Sequence, residues 1–337
     1  QVLRKIADKG ASEGPESSSI ERSFEIPSWM LDRFREDYPD QADALAAAVI
    51  ERAPMSLRVN VSKISPERYQ HQLQAAGIDA DPGNFPEHLI LRKPVPVAEL
   101  PGYRAGEVSV QDAGAQFAAH LCPDPPGDRP RLLDACAAPG GKLFHLAERY
   151  PEAELVGLEL SSERLAHTHQ EAKRLGHDLA NVRLLAGDAS DRVWLTADET
   201  FDFILLDAPC SGTGTLRRHP DIKLLREPAD VAVAADLQLA MLRNLWPLVA
   251  PGGSLLYCTC SLFSEENDEV IEAFLEGMAD EPVNASPNLD QLELPSGIAT
   301  RFGWQLLPLP AATAAGGANR TVDGFYFARM TRQEKAR

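Results

Sequence analysis

Cysteine chemistry has two possible seats in this chain, and each follows an apolar run. The stretch Phe201 to Lys223 reads FDFILLDAPCSGTGTLRRHPDIK. A buried-strand pattern ends in Asp207 and passes through Pro209 into Cys210 and a loop of Gly, Ser and Thr. A second run ends in YCTCS, which puts Cys260 at a comparable exit. Open parallel α/β sheets bind ligands at such strand ends. Proline stiffens the backbone beside the first thiol, and Gly212 and Gly214 allow close approach to a substrate. The plain alternative is an ordinary strand exit with an incidental cysteine. Zinc is disfavoured, because the chain offers an isolated C-x-C and no set of four ligands at CxxC-like spacing. No metal is therefore expected.

The 337 residues have room for a full core and two domains. No apolar run approaches the roughly 20 residues of a membrane span, and the first residues lack the apolar core of a signal peptide. Five cysteines without a paired framework fit a reduced, cytoplasmic protein, expected as a monomer. Cys122, Cys136 and Cys258 read as small buried residues. The net charge of −17 argues against a protein that coats nucleic acid non-specifically. A local basic strip remains (Arg217, Arg218, His219, Lys223 and Arg226) directly after the Cys210 loop. It is either a solvated face or an RNA-docking surface, and its position beside the thiol favours docking.

The elements that must position these groups fall into two parts. Residues 1–22 end in a polar, turn-rich linker, and the chain opens on Gln1, so an upstream segment is expected to be missing. Residues 23–125 read as a small α/β domain. It has helices near Trp29–Phe34 and Gln41–Arg52, a strand at Ser56–Ser62, and a helix capped by Ser65. Short strands near His88–Arg92 and Glu107–Val110 complete it. A Pro-rich linker from Cys122 leads into residues 126–337, where strands and helices alternate. That alternation predicts a parallel, doubly wound, Rossmann-like α/β sheet, with Trp304–Leu309 and Phe325–Met330 as a closing strand pair.

The loop Cys136-Ala137-Ala138-Pro139-Gly140-Gly141-Lys142 joins the first strand of that sheet to its helix. A helix start reached through glycines offers free N–H groups to an anion. The loop matches neither G-x-x-x-x-G-K-[ST] nor G-x-G-x-x-G, which disfavours a nucleoside triphosphate or NAD. Glu159 ends the second strand, where doubly wound sites place an acceptor for ribose hydroxyls. Asp188 follows the third strand and could accept from an adenine amino group. Each acid alone reads as a surface residue. Their succession at adjoining strand ends, with Asp207, points to an adenosine ligand without pyrophosphate, and S-adenosylmethionine (SAM) is one.

Two thiols beside a SAM site have a specific use. Carbon 5 of cytosine is too weak a nucleophile to take a methyl group directly. A thiolate that adds at carbon 6 makes carbon 5 enamine-like, and after methylation a base removes the carbon 5 proton and the thiol leaves. An acid near ring nitrogen 3 favours the addition, and Asp207 is the candidate.

The motifs DACAAPGGK, LDAPCSGTG and CTCS resemble those of the RNA cytosine-C5 methyltransferases, the NOL1/NOP2/Sun group. RRHPDIK-x-LR at 217–226, PMSLRVN at 54–60, VQDA at 110–113 and DGFYF at 323–327 resemble its bacterial 16S rRNA branch. The resemblance implies that Cys260 is the nucleophile and that Cys210 helps to release the product. It also implies that residues 136–142, Glu159, Asp188 and Asp207 bind SAM, and that the partner is 16S rRNA. That branch carries an N-terminal domain like the antitermination factor NusB, of which residues 1–22 would be the end. Other rRNA or tRNA substrates, and a non-catalytic rRNA assembly factor on the same scaffold, are the competing readings. An amino-group methyltransferase is disfavoured because its N/D-P-P-Y/F strand end is replaced by DAPC.

Overall fold

A computed structural model describes residues 26–124, 127–177, 181–195, 199–278, 283–286, 297–309 and 321–333. The expected linker at 1–22 lies outside the described residues.

The sequence builds two sheets. The smaller contains β1 (Met55–Val59), β2 (Ala80–Pro82), β3 (His88–Leu91) and β4 (Val108–Val110) in the antiparallel order β2-β3-β1-β4. Helices α1 (Ser28–Asp37) and α2 (Ala42–Ala48) precede it, and α3 (Pro66–Ala75) follows β1. The Ser65 hydroxyl accepts from Arg68 N, the expected cap. Helix α4 (Ala113–His120) leads towards the larger sheet. The sequence reading missed it, although Asp112 caps it by accepting from Gly114 N at 2.7 Å.

The larger sheet begins with β5 (Arg131–Asp134), α5 (Gly141–Arg149), β6 (Glu154–Glu159), α6 (Ser162–Leu175), β7 (Val182–Ala186) and β8 (Phe201–Asp207). Helices α7 (Ile222–Leu225) and α8 (Pro228–Leu245) lead to β9 (Val249–Thr259) and α9 (Asp268–Glu276). Strands β7-β6-β5-β8-β9 are parallel neighbours. Phe203, Ile204, Leu205 and Leu206 of β8 are fully buried, because helices cover both faces of a parallel sheet and such strands read as continuous apolar runs. Burying each such side chain contributes about 1.5–3 kcal/mol.

Beyond β9 the sheet turns antiparallel, through β10 (Val283–Ser286), β11 (Gly297–Ala299), β12 (Trp304–Leu306) and β13 (Phe325–Arg332). Strand β13 pairs antiparallel with β9, and β12 pairs with β13 as the closing pair. The sheet is therefore mixed rather than wholly parallel. Reversal at the edge needs no crossover helix, and alternation upstream could not signal it. No helix among the described residues is long and apolar enough to cross a membrane.

Candidate active site

Parallel pairing of β8 with β9 puts Asp207 opposite Cys258. The loops that leave these two strands therefore start side by side, and each carries its cysteine within three residues of that pair. Cys210 Sγ lies 3.4 Å from Cys260 Sγ, and both side chains are half-buried. Backbone bonds stitch the loops together: Ala208 N donates to Cys258 O and Gly214 N to Cys260 O, each at 2.9 Å. Gly214 is a glycine for a steric reason, since a Cβ there would meet Gly324 O at 2.1 Å. Gln238 Nε2 donates to Pro209 O at 2.9 Å, and Arg226 Nε donates to Ser211 O at 3.1 Å.

Asp207 stands beside the thiols with its two oxygens engaged. Lys142 Nζ donates to Oδ2 at 2.6 Å, and Cys258 Sγ donates to Oδ1 at 3.4 Å. Lys142, expected in the cofactor loop, is thus tied to the strand that carries Asp207. Burial disfavours its ammonium, but Asp207, Cys258 and Cys260 outweigh that and hold its pKa above the ordinary lysine value. Cys258 is buried, as expected, and its thiol also donates to Asp207. The Cys210 thiol is pushed well above the usual range by its hydrogen bond with Cys260, by burial, and by the charges of Cys260 and Glu266.

The glycine loop runs from Cys136 to Lys142 at the start of α5, with Gly140 at φ +108°. Glu159 reaches this loop: Oε2 accepts from Ala138 N at 3.3 Å, while Oε1 accepts from Ser161 N and from Arg164 Nη1. Asp188 accepts from Ser190 N at 2.8 Å and Ser190 Oγ at 2.7 Å, so its carboxylate organises its own turn. Gly187 N donates to Glu159 O at 3.1 Å, which sets that turn next to Glu159. Asp134, at the end of β5, was not among the expected site residues. Burial pushes its pKa up to about 7, with the like charge of Asp207 adding to the effect. Its signal was present in DACAAPGGK, as an acid at the end of an apolar run.

Arg58 of β1 braces this loop from the smaller sheet. It donates to both oxygens of Glu148, to Gly141 O at 2.6 Å and to Gln111 Oε1. Arg58 and Glu148 side chains are each 1% exposed.

Two cations of the basic strip, Arg217 and Arg218, are already paired inside the protein, whereas His219 and Arg226 are exposed. The Arg217 side chain is 2% exposed and donates to Asp323 Oδ1 and Thr321 Oγ1, at 2.6 and 2.8 Å. Arg218 pairs with Asp323, with Asp112 at 2.6 Å, and with Pro54 O. Asp323 lies about a hundred residues downstream, so local sequence shows the cations without their partners. Among the described residues, one cluster has metal-ligand spacing: Glu87, His120 and His145. It is internally bonded, with both His Nε2 atoms on Glu87 Oε1, and the Arg149 guanidinium lies on His120 Nδ1. With Arg149 donating there, the His120 proton sits on Nε2 and points at Glu87, where a metal would need a lone pair.

Comparison with known proteins places these features in a group. The family described as 16S rRNA methyltransferase RsmB/F matches residues 122–331, and its ferredoxin-like domain description matches residues 26–98. Ribosomal RNA small subunit methyltransferase B of Citrobacter koseri is 37% identical over 333 residues, 98% of this chain and 72% of that protein. The probable enzyme of the same name from Coxiella burnetii is 38% identical over 330 residues, 97% of this chain and 73% of its own length. The crystal structure of a methyltransferase homolog protein from Pyrococcus horikoshii aligns with a TM-score of 0.75 at 26% identity, covering 94% of this chain and all of that one.

Proposed function

The chain belongs to the RsmB/F family of 16S rRNA methyltransferases, and from that premise we propose that it methylates carbon 5 of one 16S rRNA cytosine through a covalent bond from Cys260 to carbon 6. The observation that carries this reading is the 3.4 Å contact of two half-buried thiols beside Asp207. A methyl transfer to a heteroatom has no use for a second sulfur at that distance.

SAM fits the residues present. Asp134, Glu159 and Asp207 flank the glycine loop, and burial first, then the like charges of Asp207 and Glu159, disfavour a charged Asp134. A cationic ligand rich in hydroxyl and amino donors relieves that repulsion. Glu159 takes the ribose hydroxyls, Asp188 the adenine edge, and the Cys136–Lys142 loop the amino-acid end. When bound, SAM supplies an electrophilic methyl group.

Cys260 adds to carbon 6 as the thiolate, with Lys142 as the nearby cation. Asp207, ion-paired with Lys142 at rest, relays the proton that ring nitrogen 3 takes up as the carbon–sulfur bond forms. Carbon 5 then takes the methyl group. Cys210, whose own proton has gone to nitrogen 3 through Asp207, takes the carbon 5 proton. The electron pair re-forms the double bond and expels the Cys260 sulfur as thiolate, and nitrogen 3 gives its proton back through Asp207.

The two cysteines separate in one experiment with a 16S rRNA fragment and SAM. Cys260→Ala should lose methylation and form no adduct. Cys210→Ala should methylate once and remain bonded to RNA, as a slower band on a denaturing gel. An adduct from Cys260→Ala and none from Cys210→Ala would reverse the roles. Methylation retained by Cys260→Ala would end the covalent reading.

A further inference from the structure

Glu266 has no part in the steps above, yet it is fully buried in the turn after β9, directly behind the thiols. Its Oε1 accepts from Ser211 N at 2.7 Å. Its Oε2 accepts from the Ser211 and Ser261 hydroxyls. Ser211 directly follows Cys210 and Ser261 directly follows Cys260. A single carboxylate therefore bridges the residue after each thiol. The Tyr257 hydroxyl donates to Glu266 O at 2.6 Å, and Gln238 Nε2 lies 3.4 Å from Oε1 while it holds Pro209 O.

Burying a carboxylate among hydroxyls and amides is costly, and a neutral side chain could fill the same space. The charge has a direction. Ser211, next to Cys210, gives the carboxylate both its N–H and its hydroxyl, whereas Ser261, next to Cys260, gives it one hydroxyl. The Lys142 ammonium is bonded instead to Asp207, which also accepts from the Cys258 thiol.

We propose that Glu266 is a positioning residue for the two-thiol site: it fixes the spacing of both thiol loops, and its negative charge keeps their shared proton on Cys210. Cys260 is then left to attack. This rests on the covalent reading above and adds the group that makes two adjacent cysteines unequal. Burial raises the Glu266 pKa, and the Ser211 and Ser261 hydroxyls act against that rise.

The test is iodoacetamide alkylation of the full chain across pH, with each cysteine followed by peptide mass spectrometry. In the unaltered protein Cys260 should react first and Cys210 should lag. In Glu266→Gln the Cys210 rate near pH 8 should rise about tenfold, the effect of one pKa unit on the thiolate fraction. Methylation kcat should fall about tenfold or more with the KM for SAM unchanged, because the clamp acts on the thiols and not on the cofactor loop. Ser261→Ala keeps the charge and removes half the clamp, so kcat should fall while the Cys210 profile stays in place. A merely structural glutamate would change thermal stability and leave the Cys210 profile unmoved in Glu266→Gln, which overturns the proposal. Should Glu266→Gln not fold, Glu266→Asp and Ser261→Ala decide, and unchanged kcat in both overturns it. Alkylation needs no RNA, so an active Cys260→Ala would refute the covalent reading without touching this readout.

Discussion

Two clusters in this molecule each pair cations with carboxylates, and they differ in what surrounds the pairs. The seam between the sheets gathers Arg58 with Glu148, and Arg217 and Arg218 with Asp323 and Asp112. The thiol wall gathers Lys142 with Asp207 beside Cys210 and Cys260. Side chains of the Arg58–Glu148 and Arg217–Asp323 pairs are at most 2% exposed, whereas Asp207 keeps 30% of its side-chain surface. Charges closed off on every side hold structure. Asp207 keeps a solvent-reached face next to the two thiols. Arg218 keeps 28% of its side-chain surface, close to Asp207, so exposure alone does not separate the clusters; Asp207 differs in standing beside two thiols.

The largest effect that sharpens this contrast belongs to the seam. Asp323→Ala strands the buried Arg217 guanidinium and should cost about 3–5 kcal/mol of stability. Cys210→Ala, at a half-buried position, should cost no more than about 1 kcal/mol. Urea unfolding of both variants checks the ranking, and equal losses would erase the distinction.

Acid should open the seam before it harms the fold elsewhere. Burial and the Arg58 charge hold the His145 pKa at about 4, against Glu87 and Glu148, which favour protonation. A histidine depressed in the folded state stabilises above its unfolded pKa of about 6.5, and that contribution is lost as pH falls from there towards 4. The loss is about 3 kcal/mol at most, by the same linkage. Burial acts to raise the Glu87 pKa, but hydrogen bonds from His120 and His145 hold it below the usual carboxylate range, which adds a further loss at still lower pH. Unfolding free energies at pH 7.5 and 5 should differ, and His145→Gln should flatten the difference. A slope unchanged by His145→Gln would assign the acid sensitivity to other groups.

The smallest effect tests Glu159, which is 3% exposed and braces the glycine loop. Glu159→Ala should weaken SAM binding by roughly 1.5–3 kcal/mol, through loss of a charged acceptor. Titration calorimetry reads this directly. Unchanged affinity would leave Glu159 as the fastener of Ala138 and Ser161 alone.

Much of this was legible before any coordinates. Apolar runs ending in Asp207, Glu159 and the Cys136–Lys142 loop named the strand ends, because strands covered on both faces must be apolar throughout. Ser65 and Ser161 marked helix starts, since a cap is a local hydrogen bond within three residues. The motifs at 54–60, 110–113, 217–226 and 323–327 were also visible, but as four separate fragments. Only the folded chain brings Pro54, Asp112, Arg218 and Asp323 together in one network. Local sequence shows a cation and cannot show the carboxylate that arrives from a hundred residues away, so Arg217 and Arg218 read as free charge. Glu266 was hidden for the same reason. Its meaning depends on Ser211, which pairing of β8 with β9 delivers to it. Sequence by itself determined which residues can do chemistry and which strands carry them, because those are short-range properties of the chain. The tertiary structure decided which charges are neutralised and which hydroxyls meet the buried Glu266, because burial and electrostatic pairing depend on distances that only the fold sets.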